Sequence, residues 1–174
     1  MHKTKISFGL SETEINRAIN ELNTYKQWIE TKTKLLEERI AERIKEEAQS
    51  RFNGAIVDDT IDRSPSCANV SVTVNNKGAV TVVIAEGRDA IWIEFGAGVY
   101  HNGSVGTSPH PKGAELGFTI GSYGQGYGSK QTWAYYDADG KRVRTRGTQA
   151  KMPMYLATST VINDIVQIAR EVFS

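Results

Sequence analysis

Apolar residues in the first third of the chain recur at helical spacing. Ile15, Ile19, Leu22, Ile29, Leu36, Ile40, Ile44, Ala48 and Phe52 follow one another at three, four or seven positions, with no Pro or Gly between Ser11 and Phe52. That periodicity places them on one stripe and predicts a helix over 11–53, ~60 Å long at ~1.5 Å per residue. Ser11 stands three positions before Glu14, the spacing of a capping box, and Asn53-Gly54 supplies a stop. A break at Thr31–Thr33, where threonines interrupt the stripe, is the alternative to one rod. Ahead of the helix, Ile6, Phe8 and Leu10 alternate with Ser7 and Gly9, the pattern of a short strand or arm.

Beyond Gly54 the period changes. Residues 55–69 read as a polar connector. Val70, Val72 and Val74 then alternate with Ser71 and Thr73, and Asn75-Asn76-Lys77-Gly78 is turn chemistry before the β-branched run 79–85, so an antiparallel hairpin is expected. The segment 89–96 is either a short helix stopped by Gly96 or a third strand; periodicity does not decide. Residues 97–130, rich in Gly and Ser, read as a long flexible loop. Asp137-Ala-Asp-Gly140 between Trp133–Tyr135 and Val143 marks a second hairpin. Pro153 suits the first turn of a closing helix, with Met154, Thr158, Val161, Ile165, Ile168 and Val172 as its stripe. The expected fold is α+β: an antiparallel sheet of hairpins packed by a long N-terminal and a C-terminal helix, with a long glycine-rich loop. One domain is expected over 1–174, made of the helix 11–53, the hairpin and Trp-x-Glu-Phe-Gly segment 70–96, the loop 97–130, and the basic hairpin and helix 131–174.

Composition narrows the function classes. The 174 residues are 39% hydrophobic and 24% charged with a formal net charge of +1, an ordinary globular mix with no bulk case for a nucleic-acid partner. The long helix balances eight Lys or Arg against nine Glu, a solvated face or a contact surface. One cysteine, Cys67, rules out an internal disulfide and a Cys-based zinc site. No run approaches the ~18 apolar residues of a membrane span, and Met1-His-Lys-Thr-Lys5 is not followed by a signal-like apolar segment. Synthesis in a reducing cytoplasm, without membrane partners, is therefore expected.

Candidate chemistry is thin. Glu94, His101 and His110 match no helix-borne ligand spacing. Gly121–Lys130 lacks the Gly-Lys-Ser/Thr of a phosphate loop, and no Gly-x-Ser-x-Gly elbow occurs. Neither a catalytic set, a metal site nor a cofactor is expected. The one charge anomaly lies between Lys130 and Lys151, where six cations face two carboxylates, with Trp133, Tyr135 and Tyr136 alongside. Such a hairpin is either solvated or a surface for nucleic acid.

Three pieces, in order, resemble a known family. They are the short strand ending in Gly9-Leu10 before a long helix, the segment Ile91-Trp-Ile-Glu-Phe-Gly-Ala-Gly98, and Tyr135-Tyr-Asp-Ala-Asp-Gly-Lys141 running through Thr145-Arg-Gly147 to Ala150-Lys-Met-Pro-Met-Tyr-Leu-Ala157. This order resembles the tail-component proteins of long-tailed, non-contractile bacteriophages, particularly those of Gram-positive hosts. The resemblance is weakest across 53–69 and 100–130. Where many members carry Arg-Pro-Phe-Leu, this chain has Met152-Pro-Met-Tyr155. The resemblance implies an α+β structural protein of the neck or tail-completion region, a homo-oligomeric ring at the head–tail joint of the virion beside other neck, connector or tail proteins. It implies subunit or partner contacts at Trp92, Glu94, Phe95, Gly96, Pro153, Met154 and Tyr155. In a ring around a channel, Lys141, Arg142, Arg144 and Arg146 would face passing double-stranded DNA without sequence specificity. A head-completion or tail-terminator ring is an alternative slot, and a phage nucleic-acid-binding accessory protein is the alternative from another class.

Overall fold

The computed structural model describes residues 6–58, 60–62, 64, 66–78, 80–98, 108–118 and 132–174. Helix α1 spans Glu12–Asn53 without a break, so Thr31–Thr33 does not divide it. Thr31 turns its hydroxyl back to the Gln27 carbonyl, which keeps its polar atom on the helix itself. At the start, the Ser11 hydroxyl accepts from the Glu14 N–H and donates to the Glu14 carboxylate. That hydrogen bond, ahead of those from the Gly9 and Ser11 backbone, holds Glu14 below its ordinary carboxylate value. Gly54 ends the helix, and the N–H that follows it, from Ala55, donates to the Phe52 carbonyl at 3.0 Å.

Among the described residues eight short strands follow as four two-stranded antiparallel ladders, not as one continuous sheet. Strand β1 (Ile56–Asp58) pairs with β2 (Ser66–Cys67), and β3 (Ser71–Asn76) pairs with β4 (Thr81–Glu86). The β3–β4 register sets Val72 opposite Ala85 and Val74 opposite Val83, the face that turns to the core. Helix α2 (Ala90–Phe95) settles the ambiguous segment as a helix. Strand β5 (Ala97–Gly98) pairs with β8 (Gly147–Thr148), while β6 (Trp133–Tyr136) and β7 (Arg142–Thr145) form the expected second hairpin. Its turn is held by Asp137, whose carboxylate accepts from the Asp139 and Lys141 N–H groups. Helix α3 (Pro153–Phe173) closes the chain.

The stretch 55–62 is more than a connector. Ala55 and Val57 are buried in the core, and buried Thr60 bridges to Thr145. The Thr148 hydroxyl donates to the Val57 carbonyl, which ties β8 to β1. The core itself gathers Ala48, Phe52, Ala55, Val57, Val70, Val72, Ile93 and Ala157. Ala48 and Ala157 are both wholly buried, so small side chains meet where α1 and α3 pack. Gln49 joins helix to hairpin: its amide donates to the Val70 carbonyl at 2.9 Å and accepts from the Val72 N–H at 2.7 Å. In this way one side chain satisfies the free edge of β3 as a neighbouring strand would.

Helices α1 and α3 run antiparallel. Ala157 lies with Ala48 in the core, while Phe173 at the other end meets Trp28 edge to face at 5.8 Å between ring centroids. Lys32 donates to the Val172 carbonyl, and Arg39 pairs loosely with Glu171 at 3.8 Å. At ~1.5 Å per residue α1 is ~63 Å long and α3 only ~31 Å. Residues 12–27 therefore project past the end of α3. On this overhang only Ala18 is buried, whereas Ile15, Ile19, Leu22 and Tyr25 are exposed, Leu22 by 53%. The outer face of α3 also leaves Ile162, Ile165 and Val166 in solvent.

Phe52 carries the junction of both helices and the β3–β4 ladder. Its replacement by Ala removes a fully buried ring, so Phe52→Ala is expected to cost about 3–5 kcal/mol of unfolding free energy. A chemical denaturation series checks this, and a midpoint shift no larger than that of a surface substitution contradicts the core described.

Candidate functional site

Helix α3 begins awkwardly. Met152 precedes it in the left-handed region at φ 51° and has no side-chain acceptor to cap the helix, and Pro153 has no N–H to offer. Glu94, the fifth residue of α2, does the capping from sixty residues away. Its two carboxylate oxygens accept from the Met154 N–H at 2.8 Å and the Tyr155 N–H at 2.9 Å. The next N–H, from Leu156, bonds to the Met152 carbonyl at 2.9 Å. A negative group at a helix N-terminus also complements the positive end of its dipole.

His110 completes the node. Its Nε2 lies 3.2 Å from a Glu94 oxygen, and its Nδ1 accepts from the Lys112 N–H at 3.0 Å. With Nδ1 occupied as an acceptor, Nε2 is the nitrogen that carries a proton toward the carboxylate. Both side chains are buried. Around them Phe95 stacks on Phe118 with centroids 4.0 Å apart, and His110 lies 4.4 Å from the Phe95 ring and 5.3 Å from Tyr155. The Ser108 hydroxyl donates to the Phe95 carbonyl. Residues 108–118 are thus fastened to α2 and α3 and do not share the free character expected for 97–130 as a whole; 99–107 and 119–131 lie outside the described residues.

Gly96 turns the chain out of α2 at φ 80°, and a Cβ there would stand 3.0 Å from Ala150. Next to it, the Lys151 N–H donates to the Ile93 carbonyl at 2.8 Å. The Glu-Phe-Gly motif therefore acts within the chain: Glu94 caps, Phe95 stacks, and Gly96 makes room. Of the residues expected at a partner surface, Glu94, Gly96 and Pro153 are buried by their own chain. Trp92, Phe95 and Met154 are half-buried, and Tyr155 is exposed by 39%.

His110 was missed as a site residue. The signal was present in Pro109-His110-Pro111, two rigid residues inside a Gly- and Ser-rich stretch. His101, the other member of the imagined metal triad, lies outside the described residues. Among the described residues no three metal-binding side chains cluster. Chemically, the Glu94 oxygens are committed to two backbone donors and an imidazole, an arrangement that anchors chain segments.

The basic hairpin forms the second candidate. Arg142, Arg144 and Arg146 alternate with buried Val143, Thr145 and Gly147, so they share the outward face. Arg144 is exposed and at the same time paired: its fork grips Asp62 at 2.7 and 3.1 Å while its backbone N–H donates to the same carboxylate at 2.8 Å. The Arg144 side chain, then its backbone N–H, hold Asp62 below the usual carboxylate range, and Asp62 raises Arg144 in return. Lys141 and Arg142 are exposed. No described helix is long and apolar enough to cross a membrane.

Two outcomes are expected. Glu94→Ala strands two helix N–H groups and His110, and should cost about 2–4 kcal/mol with early loss of amide protection at 154–156. Unchanged stability and protection in that variant contradict the cap. For Asp62, the folded carboxyl binds a proton less readily than the unfolded one. Its tie to β7 is complete above the ordinary carboxylate range and lost as pH falls through the lower folded value. A carbon-detected titration should show this depressed midpoint, and Arg144→Gln should return it toward the ordinary value; no response to Arg144→Gln contradicts the pairing.

Compared with known proteins, the chain matches no family model, no curated protein and no solved structure.

Proposed function

We propose that this protein is a structural subunit of a long-tailed, non-contractile bacteriophage, made in the bacterial cytoplasm and built into the virion at the neck or tail-completion region. It would assemble as a homo-oligomeric ring at the head–tail joint, against other neck, connector or tail proteins. A head-completion or tail-terminator ring is the same kind of object in a neighbouring slot. The observation that carries the reading is the apolar overhang of α1, a helix face longer than its own domain covers. The order of the three motifs, from Gly9-Leu10 to Met152-Pro-Met-Tyr155, supports the same reading.

The work of such a subunit is mechanical. Association rests on apolar area removed from water, ~25 cal/mol per Å² before ordering costs. The Glu94 node would serve it by holding α2, 108–118 and α3 as one rigid unit. The reading from another class, a nucleic-acid-binding accessory protein, draws on the outward face of β7, and the same face suits a wall along which DNA passes.

Immunogold labelling of purified particles, with a gene deletion beside it, tests the proposal. Label at the head–tail joint, and free tails beside unjoined heads in the deletion, are expected; intact infectious particles without the protein contradict it. For the basic face, Lys141→Gln with Arg142→Gln should leave folding intact and reduce the salt slope of DNA binding by about 2. An unchanged slope removes DNA from the reading.

A further inference from the structure

We infer that the α1 overhang is covered by the overhang of a second copy, in an antiparallel two-fold pair centred on Leu22. The apolar positions Ile15, Ile19, Leu22 and Ile29 fall within an arc of about 80° at 3.6 residues per turn. All four are exposed, and Tyr25 flanks them. Centred on Leu22, an antiparallel pair sets Ile15 across from Ile29, Ile19 across from Tyr25, and Leu22 across from itself. Leu10, 92% exposed just ahead of the helix, reaches the level of the exposed Leu35.

Charge selects this occupant and this direction. The first part of the overhang holds Glu12, Glu14 and Glu21 against Arg17; the part from 26 to 34 holds Lys26, Lys32 and Lys34 against Glu30. A parallel pair would align like with like. The antiparallel pair lays each acidic end along the basic end of its partner, with Glu12 beside Lys34. Neither Glu12 nor Lys34 has a partner of its own among the described residues, so both are available across the interface. The end of α3 leaves the stripe open, since Phe173 packs on Trp28 and Ile29 beside it remains exposed. The contact is ~21 Å long between Ile15 and Ile29 at ~1.5 Å per residue, shorter than a standard interface, so the pair exchanges reversibly with concentration and salt.

The pairing stands apart from the virion reading: it holds for any self-associating protein, and loss of one leaves the other untouched. The test is site-directed cross-linking of the full chain in a Cys67→Ser background under mild oxidation. Leu22→Cys should give a disulfide dimer at micromolar protein, because two copies of that position meet. Ile15→Cys alone should not, since its two copies stand ~21 Å apart, well beyond the ~7 Å Cα limit of a disulfide. An equal mixture of Ile15→Cys and Ile29→Cys chains should give the mixed dimer, and raising salt should reduce its yield several-fold. Because Leu22 is exposed in the single chain, these variants should keep the parent's helical signal and melting point. Absence of the Leu22→Cys dimer overturns the inference, as does an Ile15→Cys dimer formed equally well, which would mark a parallel pair.

Discussion

Two antiparallel helices of unequal length impose the central constraint. Where α3 runs beside α1, from Ala48 and Ala157 out to Trp28 and Phe173, apolar side chains are removed from water and the short ladders have a wall to pack on. Past Trp28 the same helix continues with the same apolar period, and among the described residues only the short arm before it, through the Ser7 carbonyl and Arg17, touches it. An isolated helix of that length is marginal in water, and its stability normally comes from tertiary packing of the apolar face. The overhang is tolerable because its N-terminus is well capped by Ser11 and Glu14 and its flanks carry Arg17–Glu21 and Lys26–Glu30 pairs. Such pairs contribute a few tenths of a kcal/mol each, which keeps a helix formed without supplying a reason for its apolar stripe.

The opposite end of the molecule is built to be rigid. Glu94 substitutes for the cap that Met152 cannot provide, and in doing so fixes the angle at which α3 leaves β8 and meets α1. His110 and the stacked Phe95 and Phe118 extend that node into 108–118. Asp62 and Arg144 do the same for the second hairpin, joining the β1 region to β7. A stiff body with one projecting apolar arm is what the proposed structural role would call for.

Local chemistry was readable. The capping box, the Gly54 stop, both turn signals and Pro153 at the head of α3 all act within a few residues, and each appears where the pattern placed it. What escaped is long-range. Glu94 meets Met154 and Arg144 meets Asp62 across distances in sequence that carry no periodicity. Most of the α3 stripe is buried as read, with Val161, Ile168 and Val172 in the interior and Met154 against the core; Ile165 instead is 40% exposed, and Ala157 rather than Thr158 lies in the core, because close helix approach at Ala48 favours a small residue. Ala55 and Val57 were hidden among aspartates, too short a run for any period to show. The Glu-Phe-Gly motif read as a partner surface because exposure is a property of the fold, and in this fold α2 turns Glu94 inward.

Hydrogen exchange along α1 at two protein concentrations addresses the uncovered helix most directly. If another copy covers the overhang, amides from Ile15 to Gln27 should slow markedly between dilute and concentrated protein while those from Ala41 to Phe52 stay unchanged. Exchange in the overhang at one fast rate, indifferent to concentration, would mean that this face meets water alone and that no self-association depends on it.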